Sequence, residues 1–280
     1  NPPEEPPRRR TRGCGCIFML LMATVAIAWG CAIGVFLYFL EDARVKLQVL
    51  DQYRPTIVSK VYSSDGEKLG EFTRAEVRDF VSLNEMPLHL QKAFIATEDK
   101  IFYEHRGVRL LSLISAALDT LRTGRTRGAS TISMQLVRNI EDLRVGKERT
   151  WLRKVKEMFF AVELERAYTK DEILELYLNL IFLGRSANGV EAAAQQYFGK
   201  HCRDLTLSES ALLAGLTRAP NTNDPFESLD NATGRRDIVL GQMLENGFIT
   251  KEQCDAALIE PLEQSLMTAE HRAALQAEGR

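Results

Sequence analysis

Two glutamates stand in surroundings that surface residues do not ordinarily have. Glu98 lies within ATEDKIFYEH, residues 96–105. Read as a helix from Phe94, the stretch places Phe94, Glu98 and Phe102 on one line at i, i+4 and i+8, with Ile95 and Ile101 beside it. An ionised carboxylate in an apolar stripe is costly unless it is paired or its pKa is raised. A raised pKa strengthens a carboxylate as a general base. Asp99, one position on, is expected to point elsewhere. Glu157 has different company. In RTWLRKVKEMFF, Arg153 precedes it by four residues and Lys154 by three, so all three share a helical face. That face is either a plain surface salt bridge, worth under about 1 kcal/mol, or a cationic cradle with a carboxylate inside it.

Between the two glutamates lies RGAST, residues 127–131, a small-residue turn able to offer backbone N–H groups to an anion at a helix start. Its GxS lacks the trailing glycine of a nucleophile elbow, and no SxxK occurs, so serine acylation is unsupported. With four histidines and no HExxH, zinc hydrolysis is unsupported too. The combination of two acids on different helices and basic residues suited to phosphate fits group transfer from a lipid-linked diphosphate, given an anchor in the membrane.

Such an anchor is visible. Residues 13–40 carry no charge; the run from Ile17 to Leu40 spans roughly 36 Å as a helix, against about 30 Å of hydrocarbon. It is longer than the apolar core of a cleaved signal peptide, about 7–15 residues. Arg8, Arg9, Arg10 and Arg12 precede it and Glu41 and Asp42 follow, which orients the N-terminus to the cytoplasm and the rest outside. Gly30 and Gly34 form a GxxxG; small residues are common in membrane helices, so this is only a hint of a homodimer. The net charge of −2 over 280 residues argues against nucleic acid as a partner. The charge is uneven, with ten Lys or Arg against six Asp or Glu between Arg127 and Lys170, which suits a discrete anionic ligand. Of five cysteines only Cys202 and Cys254 lie beyond the apolar run, and no CxxC occurs.

The elements that must position the acids read as mainly α. Residues 1–12 are a Pro-, Glu- and Arg-rich cytoplasmic tail and 13–40 the anchor. Residues 41–75 form a connector whose IVSKVYSSDGEKLGEF, 57–72, predicts a hairpin around Asp65-Gly66. Three capping boxes open later helices: Thr169 with Glu172, Thr206 with Glu209 and Thr250 with Gln253. Residues 107–121, GVRLLSLISAALDTL, are mostly apolar and run into Arg122, Arg125 and Arg127. They suit either a buried helix or a segment dipping into the outer leaflet.

Five stretches in order resemble the motifs of the peptidoglycan glycosyltransferases, the polymerase module of class A penicillin-binding proteins. They are ATEDKIFYEHRG, GASTISMQLVRN, RKVKE, KDEILELYLNLIFLG and LSESALLAGLTRAP. The likeness runs from about residue 55 to about residue 262. It implies a lysozyme-like glycosyltransferase domain over 76–230. Residues 231–280 then form a helical segment leading towards a transpeptidase domain that the 280 residues do not include.

The resemblance also implies an activity: polymerising lipid II into glycan strands, with inversion of an undecaprenyl-diphosphate-linked donor, at the outer face of a bacterial cytoplasmic membrane. It implies Glu98 as catalytic base and Glu157 as the second acid. Arg138, Arg149, Arg153 and Lys154 become phosphate-binding positions, and Ser130, Thr131 and Gln135 polar substrate-binding positions. His105 is expected to hold its turn rather than do chemistry. In the family a divalent cation, Mg or Mn, can sit beside the diphosphate, although no metal site can be read from this sequence. Other cell-wall synthesis proteins are the expected partners.

Two departures stand out. The second motif usually reads STITQQ, and here Met134 replaces an amide; Glu163 stands where a basic or apolar residue is common and is expected to face solvent. Two rivals follow: a lysozyme-like muramidase, which would need neither cradle nor anchor, and an inactive membrane scaffold, which Met134 keeps open.

If residues 107–127 rest in the outer leaflet, protein lacking residues 1–42 still co-sediments with liposomes, more strongly when these are anionic. Replacing Leu110, Leu111 and Ile114 with Ser then lowers binding without changing the melting temperature. Absence of binding by the unmutated truncated protein contradicts the leaflet placement.

Overall fold

A computed structural model describes residues 13–47, 59–62, 68–72, 80–109, 112, 115, 122–124, 130–140 and 151–268. Helix α1, Gly13–Leu47, extends the expected anchor by seven residues and is long and apolar enough to cross a membrane. Strands β1, Ser59–Tyr62, and β2, Lys68–Phe72, pair antiparallel, with Ser59 opposite Phe72 and Tyr62 opposite Lys68. The expected turn at Asp65-Gly66 lies outside the described residues.

The rest is helical: α2 Leu88–Glu98, α3 Ile132–Asn139, α4 Trp151–Ala167, α5 Lys170–Leu180, α6 Val190–Phe198, α7 Leu207–Leu216, α8 Leu229–Glu245, α9 Lys251–Ile259 and α10 Leu262–Ser265. All three capping boxes form as the sequence indicates, at the starts of α5, α7 and α9. Each satisfies donors that a helix start leaves without intrahelical partners.

Helix α7 is the axis of the core, with every residue from Ser208 to Leu216 buried. Helices α2 and α8 pack against it. The Arg236 guanidinium of α8 donates to Ser208 Oγ and to the carbonyls of Leu258 and Glu260, tying α7, α8 and the end of α9 together. The boundary expected after residue 230 therefore falls inside α8, whose Ala232, Val239, Leu240 and Met243 belong to this core. A helix that buries its apolar face against α7 packs as one unit with it.

Helix α2 stops sooner than its apolar spacing suggests. Its last residue is Glu98, and Asp99 caps it at φ −159° and ψ 72°. Phe102 is thus not one further turn along a stripe. It enters the core from a hydrogen-bonded turn, beneath the Lys170 ammonium 4.4 Å from its ring centre. That turn ends at Gly107, with φ +85°, lying so close to α4 that a Cβ would come within 2.6 Å of the Ala161 carbonyl oxygen. Most of the apolar segment, residues 110–111, 113–114 and 116–121, and the arginines at 125 and 127 lie outside the described residues. Arg109 turns inward to Asp99, while Ser115 and Arg122 are exposed.

Gly107→Ala combines a left-handed φ, which costs a residue with a Cβ about 1–2 kcal/mol, with a backbone collision. The melting temperature should fall by about 5 °C or more. An unchanged melting temperature contradicts the close approach to α4.

Candidate active site

Glu98 sits half-buried at the C-terminal end of α2 between two hydrogen-bond donors from distant parts of the chain. Gln135 Nε2 of α3 donates to Oε2 at 2.7 Å, and the Thr217 hydroxyl, just past α7, donates to Oε1. The second face of the Gln135 amide is held as well, because the Tyr177 hydroxyl donates to Gln135 Oε1 at 3.3 Å. Tyr177 is fully buried against Phe94, and its pKa is pushed well up, first by burial and then by the charge of Glu98. The acid is therefore not a lone carboxylate in an apolar stripe. Its back rests on apolar α2 residues while its oxygens are oriented by neutral donors.

Glu157 is paired by full charges. Arg153 lies 3.0 Å from Oε1 and Lys154 2.8 Å from Oε2, and the Glu157 side chain has no exposed surface. This disposes of the plain surface salt bridge, since the Glu157 carboxylate that both cations pair with is fully out of water. The Lys154 ammonium also donates to Ser130 Oγ at 2.6 Å, joining α4 to the residue that leads into α3. Helix α3 therefore separates the two acids: Gln135 on it holds Glu98, and Ser130 before it holds the Lys154 of Glu157. Arg138, one turn after Gln135, is exposed at the end of α3. Arg149 lies outside the described residues, as do 127–129 of the RGAST turn.

The start of α3 already has its anion. Asp99 Oδ2 accepts from the backbone N–H of Ile132 at 3.2 Å, and Thr131 Oγ1 caps the helix by accepting from Met134 N. The Ile132 N–H thus faces the protein's own carboxylate, and the Met134 N–H faces the capping hydroxyl, where the sequence suggested a ligand. Thr131 is buried and its proton goes to the Gly107 carbonyl at 2.6 Å, so it positions the loop rather than facing the cleft. Asp99 is itself buried, and it also binds His105 Nε2 at 2.7 Å and Arg109 at 3.5 Å. His105 holds its turn, as expected.

Met134 and Glu163 both differ from expectation. Met134 is fully buried, and Glu98 has donors in Gln135 and Thr217 without an amide at that position. Glu163 is buried too, and pairs with Arg166. Sequence reasoning missed Asp99, Tyr177, Thr217 and Arg235. The Arg235 guanidinium on α8 donates to the Gly215 carbonyl, and its pKa is lowered by burial and by neighbouring Arg218, an effect opposed by Glu98. The spacing of Asp99 and His105 was a usable signal. Nothing local marked Thr217 or Arg235.

A family model described as Transglycosylase matches residues 65–244. The chain belongs to the transglycosylase family. Its domain is the glycosyltransferase module of class A penicillin-binding proteins. It is 44% identical over 247 residues to penicillin-binding protein 1A of Escherichia coli K12, covering 88% of this chain and 29% of that protein. It is likewise 44% identical over 216 residues to penicillin-binding protein 1A of Aquifex aeolicus, covering 77% of this chain and 29% of that one. The chain thus spans under a third of these relatives. A crystal structure of penicillin-binding protein 1A from Haemophilus influenzae matches at 30% identity with a TM-score of 0.45, over 81% of this chain and 24% of that one.

Arg153→Met in this transglycosylase domain leaves the buried Glu157 with one cation in place of two. Breaking a buried pair destabilises by about 3 kcal/mol, which urea unfolding should register. A midpoint equal to wild type contradicts the buried pairing.

Proposed function

We propose that this domain polymerises lipid II, with Glu98 as general base. The supporting observation is the pair of donors on Glu98. A carboxylate offers about four lone-pair positions, and Gln135 and Thr217 occupy two. The remaining two can accept the proton of the acceptor sugar's 4-hydroxyl. The deprotonating oxygen attacks the anomeric carbon of the donor strand, the new C–O bond forms on the face opposite the diphosphate, and the undecaprenyl diphosphate leaves. Direct displacement of this kind inverts the α linkage to β.

The leaving group needs positive charge as its own negative charge develops. Arg153 and Lys154 bring two positive charges against the single negative charge of Glu157, so the buried acid aims the cations and leaves a net positive face. Arg138 adds an exposed cation from α3, and Arg149 is assigned here by resemblance. Ser130 holds Lys154 in place. Among the described residues no group of three or more His, Cys, Asp or Glu side chains is placed to hold a metal ion. A Mg or Mn ion beside the diphosphate would take most of its ligands from the phosphates themselves.

Helix α1 supplies an anchor that keeps the cleft beside its lipid-linked substrates, with the domain outside the cytoplasmic membrane as the charges around the anchor indicate. A muramidase reading is weakened by Glu157, which is engaged by two cations and is poorly suited to act as nucleophile or acid. The scaffold reading, which Met134 kept open, is weakened because Glu98 is held by Gln135 and Thr217 without an amide at position 134.

Glu98→Gln removes the base and keeps the shape. Polymerisation of labelled lipid II should fall by at least about a hundredfold with melting nearly unchanged. Near-normal polymer yield contradicts the assignment, and shortening of added glycan favours the muramidase.

A further inference from the structure

The Thr217 hydroxyl has two acceptors and one proton. Its oxygen lies within hydrogen-bond distance of Glu98 Oε1 and 2.8 Å from the Ala214 carbonyl oxygen one turn back in α7. It can donate to only one of them at a time. While Glu98 is ionised, the charge-assisted bond to the carboxylate is the stronger choice. Once Glu98 has taken a proton on Oε1, that O–H can rotate about its C–O bond to donate to Thr217 Oγ1 as the Thr217 proton turns to Ala214. Gln135 has no such freedom, because its amide is fixed from the far side by Tyr177.

We infer that Thr217 is a positioning residue that holds Glu98 in both protonation states by reversing the direction of one hydrogen bond. The inference rests on Glu98 being the base. The reversal needs no movement of heavy atoms, so the carboxyl stays aimed at the acceptor hydroxyl before and after proton transfer. The cycle balances: the proton leaves the sugar hydroxyl for Glu98, the Thr217 proton swings from Glu98 to Ala214, and it swings back when Glu98 passes the sugar's proton to water. The location supports a positioning role. Thr217 follows the buried α7 in right-handed helical geometry, φ −50° and ψ −34°, so the core fixes its backbone.

The other groups around Glu98 do not duplicate this. Tyr177 from α5 is kept protonated by burial and is committed to Gln135. Arg235 from α8 acts on Glu98 through its charge, its Nε donating to Gly215, and Arg218 is exposed beside Thr217. Asp99, adjacent to Glu98, is engaged by His105, Arg109 and Ile132.

The test compares wild type with Thr217→Val, which keeps the shape and loses the hydroxyl, and Thr217→Ser, which keeps the hydroxyl. The readout is kcat/KM on lipid II as a function of pH, with melting measured on each protein. The Thr217 bond is stronger to the ionised carboxylate than to the neutral acid, so its loss penalises the ionised form. The acid limb in Thr217→Val should move to higher pH by about one unit, with turnover near neutrality down by about tenfold and melting unchanged. Thr217→Ser should restore the limb. Thr217→Ala carries the same comparison if Val disturbs packing. An acid limb in Val and Ala at the wild-type pH, whatever the amplitude, overturns the inference. Glu98→Gln, assayed alongside, separates the two failures. If it stays active the base assignment falls; if it is inactive while the limb does not move, only the role of Thr217 falls.

Discussion

The site depends on one buried carboxylate that is not the proposed base. Asp99 accepts hydrogen bonds from His105, Arg109 and the backbone of Ile132. It does three things from one position. It ends α2 at Glu98, it fixes the turn that carries Phe102 into the core, and it occupies the start of α3. Glu98 and Gln135 meet because the helices carrying them are joined through this residue. A buried charge is tolerated only when its donors are in place, so the arrangement is close to all-or-none. Gly107 and Thr131 reinforce it, since the Gly107 carbonyl takes the Thr131 proton at the same junction.

The two glutamates then diverge because of who holds them. Glu98 receives neutral donors and keeps its charge available. Glu157 is enclosed by Arg153 and Lys154, and its charge is spent on aiming them. Acid and base roles are commonly separated by giving two carboxyls unlike surroundings. Helix α3 sets the separation here, touching one acid through Gln135 and the other through Ser130 and Lys154.

Much of this was legible in the sequence where the signal is local. The capping boxes lie within four residues, the anchor is a matter of composition, and Arg153, Lys154 and Glu157 share one helical face. Where the sequence misled, tertiary contacts decided the outcome. Periodicity carried α2 on through Phe102, but Asp99 ends it by binding groups six, ten and thirty-three residues away. Glu163 was expected to face solvent from its angle to Glu157, yet it is buried and pairs with Arg166. Met134 suggested a lost hydrogen bond because the second motif usually carries an amide there, but it is fully buried and Glu98 finds its donors elsewhere. Thr217 contacts Glu98 across 119 residues, a separation that no local spacing rule reaches.

The central claim is that Asp99 acts through Glu98, by fixing where the base stands. A double-mutant cycle on lipid II turnover tests it most directly. Asp99→Asn alone should slow polymerisation, because an amide cannot satisfy three donors as a carboxylate does. Combined with Glu98→Gln, it should add little further loss, since the proposed base that it positions is already gone. If Asp99→Asn slows the Glu98→Gln protein by the same factor as it slows wild type, the two residues act independently and the account is contradicted.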